Sequence, residues 1–466
     1  MERSGSDDIF NSASSTNHLY QLYLTHPNIC TDSRKLRPDD LFFALKGDNF
    51  NGNLFAIQAL SNGAAYAIID DADLFTSGPL RKSAVDPKDD LSESPSLLTE
   101  RLILVEEVLT SLQLLAAHHR NQFSIPFIAI TGSNGKTTTK ELIHAVLSEK
   151  YKTYTTEGNL NNHIGIPLTL LKIKKDAEIA IVEMGANHIG EIAGYCLYTR
   201  PTHGLITNCG KAHLEGFGGI EGVRKGKGEL FDYLRAYGGS AFVMWDYDYL
   251  QQMSRGIREV FTYGTNHADI TGVTEESATY LKVVITKGHS AGSIQTQLTG
   301  NYNLPNVLAA VCLGSYFGVD ASTIKKGIEN YSPSNSRSQL IHAESNTIVL
   351  DAYNANPSSM KLAIENFIRF PANDKVLLLG GMAELGSESI AEHEQILKLI
   401  GKNKWKDVVL VGGDFLNIKH PYTNFTNASE AADWISSRSF NNTAFLVKGS
   451  RSMQMEKAIQ GLISKK

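Results

Sequence analysis

The chain has 466 residues, of which 42% are hydrophobic and 20% charged, as is usual for a soluble globular protein. Its 44 basic and 49 acidic residues give a formal net charge of -5, which argues against nucleic acid as the main partner. Because one hydrophobic core seldom serves more than ~200 residues, the length predicts about three domains.

Nothing in the sequence indicates a membrane or secreted protein. No stretch approaches the ~18 consecutive apolar residues of a membrane-spanning helix, and residues 1–16 lack the apolar core of a signal peptide. We therefore expect a cytoplasmic protein. Its four cysteines, Cys30, Cys196, Cys209 and Cys312, have no metal-binding spacing, which favours buried thiols in a reducing compartment.

In chain order, the first region combines polar segments with one helix. Residues 1–16 and 77–100 are rich in polar residues, and we predict that both are surface loop or disordered chain. Between residues 105 and 122, Leu109, Leu112 and Leu115 recur at helical spacing, which predicts a helix.

The middle of the chain alternates short apolar runs with helical stretches, the pattern of a parallel sheet with crossover helices. The predicted strands are residues 127–131, 179–183, 204–207 and 241–244, and a helix is predicted at 136–150. Residues 280–286 and 294–298 alternate apolar and polar side chains, which predicts antiparallel strands on one flank.

The last third repeats this alternation and predicts a doubly wound, Rossmann-like domain. Its predicted strands are residues 347–350, 376–379, 408–411 and 444–447, and its predicted helices are 358–370, 388–401, 430–437 and 453–464. No G-x-G-x-x-G follows its first strand, so no dinucleotide is indicated. The predicted fold class is α/β, with domains at residues 1–122, 123–333 and 334–466, the central one resembling a P-loop ATPase domain.

The strongest local signal is Thr-Gly-Ser-Asn-Gly-Lys-Thr-Thr at residues 131–138, between a predicted strand and a predicted helix. Glycines let backbone N–H groups turn toward a phosphate at the positive end of a helix. Lys136 is suited to neutralise the β- and γ-phosphates, and the Thr137 hydroxyl is suited to hold Mg²⁺. An ordinary glycine turn is the alternative. The predicted nucleotide-binding residues here are Gly132, Ser133, Asn134, Gly135, Lys136, Thr137 and Thr138.

Other polar residues follow predicted strands. Glu183 ends the strand at 179–183, where parallel sheets bind ligands, so it could share Mg²⁺ with Thr137. His213 is a candidate for a second metal, although a lone histidine is more often structural. Lys225 and Lys227 are two residues apart, so on a helix only one of them can face a site.

Two further candidates lie at the start of the last domain. Arg337 is placed on a predicted linker, where a hinge motion could bring it to a γ-phosphate; a surface salt bridge is the alternative. Asn354 and Asn356 follow the strand at 347–350, where they could contact a ligand or only cap a helix.

Several sequence blocks together resemble the Mur ligases, the ATP-dependent ligases that build the peptidoglycan precursor. In order, the blocks are GSNGKTT from Gly132, EGNLNNHIGIP from Glu157, EMG from Glu183, AHLEGFG from Ala212, GKGELF from Gly226, DAYNANP from Asp351 and LVKGSR from Leu446, with TDSR from Thr31 and DLFFAL from Asp40 nearer the N-terminus. The resemblance runs from about Thr31 to the C-terminus. Folylpolyglutamate synthases share the phosphate loop but not the NLNNHIGIP and YNANP blocks.

The resemblance implies a three-domain fold and a ligase that activates a carboxylate as an acyl phosphate, then joins it to an amine. The implied partners are UDP-N-acetylmuramoyl-tripeptide and D-alanyl-D-alanine, with ATP and Mg²⁺ as cofactors, no nucleic acid, no membrane and a monomeric chain. The implied catalytic residues are Lys136, Glu183, His213, Lys227 and Arg337. Of these, Glu183, His213 and Lys227 are implied metal ligands beside Thr137, and Lys227 matches a lysine that the family carbamylates.

The resemblance also assigns ligand contacts outside the phosphate loop. Asn303, Arg337 and Asp351 match residues on the ATP side. The implied substrate-binding residues are Thr31, Asp32, Ser33, Arg34, Asn159, Asn162, Asn354 and Asn356. Departures from the family pattern include Asn53 and Tyr302, each in place of a histidine, and Leu350 in place of an aspartate. None of them removes a predicted phosphate or metal group.

Three rival functions differ in substrate or class. A sister ligase would add a single amino acid, but the YNANP and LVKGSR blocks argue against it. A folylpolyglutamate synthase would need no UDP pocket. A nucleotide sensor would bind ATP without catalysis, and the retention of Lys136, Thr137, Glu183, His213 and Lys227 argues against that.

Overall fold

The structure of the chain, a computed structural model, describes residues 7–76, 98–275, 279–334 and 336–463. Its helices are α1 Asp7–Thr25, α2 Ala56–Ser61, α3 Asp73–Thr76, α4 Val108–Arg120, α5 Lys136–Leu147, α6 Gly165–Leu171, α7 Glu191–Thr199, α8 Leu214–Phe217, α9 Ile220–Tyr237, α10 Asp248–Met253, α11 Leu304–Tyr316, α12 Ala321–Asn330, α13 Pro357–Ile368, α14 Ser389–Gly401, α15 Ala428–Ser436 and α16 Gln460–Ile463. None of the described helices is long and apolar enough to cross a membrane.

The chain divides into two compact units, and each contains β-sheets. The first unit consists of residues 1–125, 156–176 and 197–200, and the second consists of the remainder. The strands are β1 Ile29–Cys30, β2 Leu41–Phe43, β3 Lys46–Gly47, β4 Phe50–Asn51, β5 Tyr66–Ile69, β6 Leu102–Leu104, β7 Phe127–Thr131, β8 Thr153–Thr155, β9 Ile179–Glu183, β10 His203–Ile206, β11 Ser240–Met244, β12 Glu259–Gly264, β13 Ile270–Glu275, β14 Lys282–Lys287, β15 Ser293–Gln295, β16 Gln339–Ala343, β17 Asn346–Asp351, β18 Asp374–Gly380, β19 Asp407–Val411, β20 Thr423–Phe425 and β21 Thr443–Lys448.

The first unit contains a four-stranded parallel sheet in the order β1-β2-β5-β6, with β3 and β4 as a separate antiparallel pair. Apolar residues of β2, β5 and α2 form its core. Helix α1 packs on α4, where the hydroxyl of Tyr20 lies 3.2 Å from Nδ1 of His119.

The first of the two predictions of loop or disorder needs correction, and the second is tested only at residues 98–100. Residues 7–16 belong to α1, because the buried Leu19, Tyr20 and Tyr23 anchor the C-terminal half of that helix and its polar half continues the same hydrogen-bonded turns. Residues 1–6 and 77–97 lie outside the described residues. Leu98, at the end of the second predicted loop, is fully buried in the core of the first unit.

A nine-stranded sheet begins the second unit, in the order β15-β14-β13-β12-β11-β10-β7-β9-β8. All neighbours run parallel except β14, which is antiparallel to β13 and to β15. Strands β7, β9 and β11 are buried along their whole length, as expected for a parallel sheet covered by helices on both faces. The predicted parallel sheet with an antiparallel flank is confirmed.

The register of the central strands brings several chain segments to one edge. Ile130 of β7 pairs with Glu183 of β9, and Thr131 pairs with Ile206 of β10. The segments that follow these three strands therefore leave the sheet side by side, at the edge where parallel sheets bind ligands.

A six-stranded sheet ends the chain, in the order β16-β17-β21-β18-β19-β20, with only β16 antiparallel to its neighbour. The doubly wound prediction is confirmed, although the short edge strands β16 and β20 were not predicted. The predicted helix at 453–464 is confirmed only at Gln460–Ile463. Gln454 has a φ of 48°, which interrupts the helix, so short 3₁₀ turns precede α16.

Candidate functional site

Residues 132–135, here called the glycine loop, join the end of β7 to the start of α5. Gly132 has a φ of 141° and Gly135 a φ of 81°, values that favour glycine. A Cβ atom on Gly132 would lie 2.0 Å from Oγ1 of Thr207, and one on Gly135 would lie 2.7 Å from Oδ1 of Asn306. Glycine is therefore required at both positions, and the loop leads into the positive end of α5, which favours an anion.

The segment that follows β10 holds the glycine loop in place. Asn208 accepts the Ser133 N–H on its backbone oxygen at 2.9 Å and the Asn134 N–H on its Oδ1 at 3.1 Å. The hydroxyl of Thr207 donates to the backbone oxygen of Asn134 at 2.6 Å. The hydroxyl of Ser133 donates to the backbone oxygen of Gly210 at 2.9 Å. The segment after a neighbouring strand thus fixes the loop through two side chains and two backbone oxygens.

Lys136 folds back over the glycine loop, where its Nζ donates to the backbone oxygen of Gly132 at 2.7 Å. Burial lowers the pKa of Lys136, the Glu183 carboxylate opposes that shift, and the Arg337 cation adds to it. One acid and a second cation therefore act on this lysine. The arrangement suits an ammonium group that meets phosphates bound by the loop.

Glu183 and Thr137 carry buried oxygen atoms near the loop. Glu183 ends β9 and is 1% exposed, while Thr137 lies in the first turn of α5 and is 5% exposed. A carboxylate and a hydroxyl are the hard oxygen ligands that Mg²⁺ prefers. Within the described ranges, no group of three or more His, Cys, Asp or Glu side chains could hold a metal. Mg²⁺ bound here would take further ligands from water and phosphate, which is its usual behaviour.

Lys227 lies in α9 and is 1% exposed. Its Nζ donates to the backbone oxygen of Ala186 at 2.8 Å and lies 4.9 Å from the centre of the Phe217 ring. Burial lowers the pKa of Lys227 well below its ordinary value, and the Lys136 cation lowers it further. Lys225 is exposed, so the two lysines lie on different sides of α9, as their spacing predicts.

His213 contacts the C-terminal part of the second unit. Its Nδ1 shares a hydrogen bond with Oε2 of Glu384, which lowers the pKa of the Glu384 carboxyl. Two residues earlier, Nζ of Lys211 donates to Oε1 of Glu392 at 2.5 Å. The sequence singled out His213 but neither of these two glutamates.

Arg337 stacks on an aromatic ring. Its guanidinium carbon lies 3.5 Å from the centre of the Tyr353 ring, and its Nε is buried without a hydrogen-bond partner among the described residues. The described part of the chain gives Arg337 no ion pair, which disfavours the alternative of a surface salt bridge. Asp351, also predicted on the ATP side, accepts a hydrogen bond from Nζ of Lys448 at 2.6 Å.

Asn303 belongs to a buried amide chain that reaches α5. Its Nδ2 donates to the backbone oxygen of Thr299 at 2.8 Å, and its Oδ1 accepts from Nδ2 of Asn306 at 2.8 Å. Oδ1 of Asn306 in turn accepts the hydroxyl of Thr139 at 3.0 Å. The chain of hydrogen bonds connects Asn303, predicted on the ATP side, to the helix that follows the glycine loop.

Asn356 performs the predicted capping role and also reaches the glycine loop. It is the N-cap of α13, where its Oδ1 accepts the Ser359 N–H at 2.9 Å. Its Nδ2 donates to Oδ1 of Asn134 at 2.8 Å. Asn354 is exposed, and its Oδ1 accepts the N–H of Ala355.

The residues predicted to bind the UDP end lie in the first unit, just after β1. Asp32 caps the short helical turn Ser33–Lys35, and Nε and Nη2 of Arg34 donate to its carboxylate at 2.8 and 3.0 Å. Thr31 precedes this turn. The Arg34 side chain is 87% exposed, so its guanidinium is accessible to a ligand from solvent.

The two asparagines predicted to contact substrate in the NLNNHIGIP block also belong to the first unit. Asn162 accepts the backbone N–H of Gly165 on its Oδ1 at 2.8 Å, at the start of α6. Asn159 is exposed.

The second unit thus places Lys136 within electrostatic reach of Glu183, Arg337 and Lys227, while Glu191 and Glu229 are the carboxylates that act on Lys227. Lys136 and Arg337 are two cations that act on one another beside a loop that favours an anion, and the Glu183 carboxylate acts on Lys136. This excess of positive charge is suited to a polyphosphate, whose charges would relieve the repulsion among the cations.

Comparison with known proteins gives matches along nearly the whole chain. Residues 27–120 match the family model described as "Mur ligase family, catalytic domain". Residues 130–314 match "Mur ligase middle domain", and residues 336–451 match "Mur ligase, glutamate ligase domain". The three matches follow one another in the order of the predicted domains.

Individual relatives agree with the family models. The UDP-N-acetylmuramoyl-tripeptide--D-alanyl-D-alanine ligase of Escherichia coli (strain K12) is 34% identical over 464 residues, covering 94% of this chain and 94% of that protein. A crystal structure of MurF from Acinetobacter baumannii superposes with a TM-score of 0.79 at 29% identity, covering 94% of this chain and 93% of that one. MurF ligase from Thermotoga maritima, in complex with ADP, gives a TM-score of 0.78 at 26% identity, covering 94% and 97%.

Proposed function

This chain belongs to the Mur ligase family, and from that premise we propose that it joins D-alanyl-D-alanine to UDP-N-acetylmuramoyl-tripeptide at the expense of ATP. The product is a peptidoglycan precursor. The reaction passes through an acyl phosphate, which turns an unreactive carboxylate into an acyl donor. The E. coli relative that bears this activity in its name is similar over almost its full length.

The observation that carries the proposal is the pair of cations Lys136 and Arg337 near the glycine loop, with the Glu183 carboxylate acting on Lys136. When the terminal carboxylate of the tripeptide attacks the γ-phosphate, negative charge builds on the phosphoryl oxygens. Lys136 and Arg337 would stabilise that charge, because positively charged groups aimed at a transferring phosphoryl group are the main source of catalysis in such reactions.

The second half of the reaction needs orientation more than acid–base chemistry. The amine of D-alanyl-D-alanine attacks the acyl carbon, a tetrahedral intermediate collapses, and phosphate leaves. Asn356 couples the start of α13 to Asn134 of the glycine loop, so the last third of the chain can position an amine next to the activated carboxylate. Excluding water from this space protects the acyl phosphate from hydrolysis.

We propose Mg²⁺ as the metal, held by Thr137, Glu183, His213 and Lys227. The ion would offset phosphate charge as a Lewis acid. Lys227 can contribute only without its positive charge. As a neutral amine it can attack CO₂ and lose one proton, which forms an anionic carbamate. The burial that lowers the pKa of Lys227 increases the fraction of neutral amine available for this step.

The remaining contacts are proposals as well. Thr31, Asp32, Ser33 and Arg34 would meet the UDP end of the substrate, and Asn159 and Asn162 its peptide. Asn303 and Asp351 would meet the nucleotide of ATP, and Asn354 and Asn356 the dipeptide. The boundaries at residues 1–122, 123–333 and 334–466, a monomeric state and a cytoplasmic location belong to the same proposal. Light scattering and cell fractionation test the last two.

Phosphate release from ATP tests the function. The assay contains UDP-N-acetylmuramoyl-tripeptide, with and without D-alanyl-D-alanine, and mass spectrometry identifies the product. We expect release that depends on the dipeptide and a product with the mass of the pentapeptide. Release with a single amino acid in place of the dipeptide would reassign the chain to a sister ligase. No release with any such substrate would contradict the proposal.

A further inference from the structure

Two residues with unusual backbone conformations meet at the contact between His213 and Glu384. His213 has a φ of 52° and Glu384 a φ of 61°, both in the left-handed region that costs free energy for residues with a side chain. Nδ1 of His213 nevertheless shares a hydrogen bond with Oε2 of Glu384. Surrounding structure must hold both residues in place, and such strain tends to collect at functional sites.

The turn that carries Glu384 is held by a buried histidine. His393 is fully buried, its Nε2 accepts the backbone N–H of Met382 at 3.0 Å, and its Nδ1 lies 2.8 Å from the backbone oxygen of Ser389. In addition, the backbone oxygen of Glu384 accepts the N–H of Glu215 at 3.4 Å. These bonds fix the backbone of the turn of residues 381–386, from which the half-exposed side chain of Glu384 reaches His213.

The segment that carries His213 contacts Lys227 through a short helix. His213 is the N-cap of the short helix α8, whose last residue, Phe217, donates its N–H to the backbone oxygen of His213 at 3.1 Å. The ring of Phe217 lies 4.9 Å from Nζ of Lys227. The short helix α8 therefore begins at one proposed metal ligand and contacts the other, and the imidazole ring is the part that still needs an orienting partner.

A carboxylate on one imidazole nitrogen determines what the other nitrogen can do. When Nδ1 carries the proton and donates it to a carboxylate, Nε2 keeps a lone pair for a metal ion. The carboxylate also fixes the ring plane and makes Nε2 more basic. Carboxylate–histidine–metal chains of this kind are common in metal sites, and loss of the carboxylate typically lowers metal affinity or activity about 10–100-fold.

We infer that Glu384 is a positioning residue for a divalent cation: it holds His213 in the tautomer and orientation that bind the ion, and because it comes from the C-terminal part of the chain, that part completes the metal site. The inference rests on the proposed function, which supplies the metal-dependent reaction. It adds a residue that touches neither nucleotide nor substrate and acts only through His213.

A simpler explanation is that the pair merely joins two segments of the unit. The chain offers a matched control, since Lys211 and Glu392 form an ion pair at 2.5 Å between the same two segments without touching His213. Glu392→Gln removes that attraction, and Glu384→Gln removes the charge of the positioning residue but keeps an oxygen that can accept a hydrogen bond. Glu384→Ala removes both.

Binding of Mn²⁺ tests the inference without turnover. Free Mn²⁺ is counted by electron paramagnetic resonance as it is added to the full-length protein with a non-hydrolysable ATP analogue and UDP-N-acetylmuramoyl-tripeptide. We expect Glu384→Ala to weaken the second Mn²⁺ about 10–100-fold, Glu384→Gln to weaken it less, and Glu392→Gln to change it by less than about 2-fold. In the phosphate-release assay, the Mg²⁺ concentration for half-maximal turnover should rise in the same order.

Equal effects of Glu384→Ala and Glu392→Gln on Mn²⁺ affinity would mean that the pair is only a contact between segments, and unchanged affinity in Glu384→Ala would overturn the inference outright. Thermal unfolding of each variant shows whether a loss of Mn²⁺ binding comes from misfolding. If Glu384→Ala is misfolded, the Mn²⁺ affinity of Glu384→Gln tests the inference instead. If the wild-type protein binds Mn²⁺ with the nucleotide analogue but joins no dipeptide, the proposed function fails while the metal inference stands on its own data.

Discussion

Asp351 and Lys448 are cross-strand neighbours in the register of β17 and β21, and Nζ of the lysine donates to Oδ2 of the aspartate at 2.6 Å. Lys448 is 2% exposed and also donates to the backbone oxygen of Asn354 at 3.1 Å. The pair therefore connects the end of a central strand to the turn that carries two of the proposed dipeptide contacts.

Replacing Lys448 with methionine should destabilise the protein. The change leaves the Asp351 carboxylate in a partly buried place without its cation, and breaking such a pair costs about 3 kcal/mol. Urea unfolding measures the loss. Lys361→Met is the control, because Lys361 and Glu365 form an exposed pair at 3.8 Å whose loss should cost less than about 1 kcal/mol. Equal midpoints for the two variants would contradict the prediction.

Lys227→Ala should abolish turnover while nucleotide binding is largely kept. The side chain is buried beside Lys136, so its removal takes away a proposed metal ligand and leaves the glycine loop intact. Phosphate release and calorimetric binding of ADP are measured in parallel. Lys225→Ala, on the exposed face of the same helix, should behave as wild type. A Lys227→Ala protein that still turns over would remove this lysine from the mechanism.

Gly132→Ala should lose nucleotide binding. The new Cβ would lie 2.0 Å from Oγ1 of Thr207, and the φ of 141° is strained for any residue with a side chain, so the loop must move. Gly194→Ala in α7 is the control, because its Cβ meets no atom within 4 Å. That variant should bind ADP normally and gain about 0.5–1 kcal/mol of stability. Wild-type ADP affinity in Gly132→Ala would show that the loop tolerates a side chain.

His203 should make the protein less stable in mild acid. Burial lowers the pKa of His203 to about 4, and its Nε2 lies 3.1 Å from the hydroxyl of Tyr316. Because an unfolded histidine has a pKa of about 6.5, the unfolded state binds more protons between these two values. The contribution of neutral His203 to the free energy of unfolding is complete above pH ~6.5 and is lost as the pH falls toward 4. At pH ~5 the free energy of unfolding should be lower by about 2 kcal/mol.

The same prediction is checked by comparing unfolding midpoints at neutral and mildly acidic pH in the wild type and in His203→Phe. The phenylalanine fits an aromatic surrounding that includes Phe242 and Tyr316, so the variant should fold. Its midpoint should fall less on acidification than that of the wild type. An identical pH dependence in both proteins would show that His203 does not titrate in this range.

The sequence by itself determined the elements that depend on local patterns. The apolar run at 127–131 became β7 with the predicted bounds, and 179–183 became β9, because a strand buried on both faces leaves an uninterrupted apolar signature. The glycine loop and Lys136 were equally readable, since a strand–glycine–helix junction has a fixed spacing. The helix at residues 7–16 was missed because its polar sequence becomes helical only through the packing of the half that follows it.

Only the tertiary structure decided which distant side chains act together. Glu384 lies 171 residues from His213, and Lys448 lies 97 residues from Asp351, so no spacing rule could pair them. Asn208 supports the glycine loop solely because β10 is the neighbour of β7 in the sheet. The physical reason is common to all three cases. Local patterns fix φ and ψ over a few residues. Hydrogen bonds and ion pairs between distant residues depend on interatomic distances, which are set only when the strands have assembled in their order in the sheet.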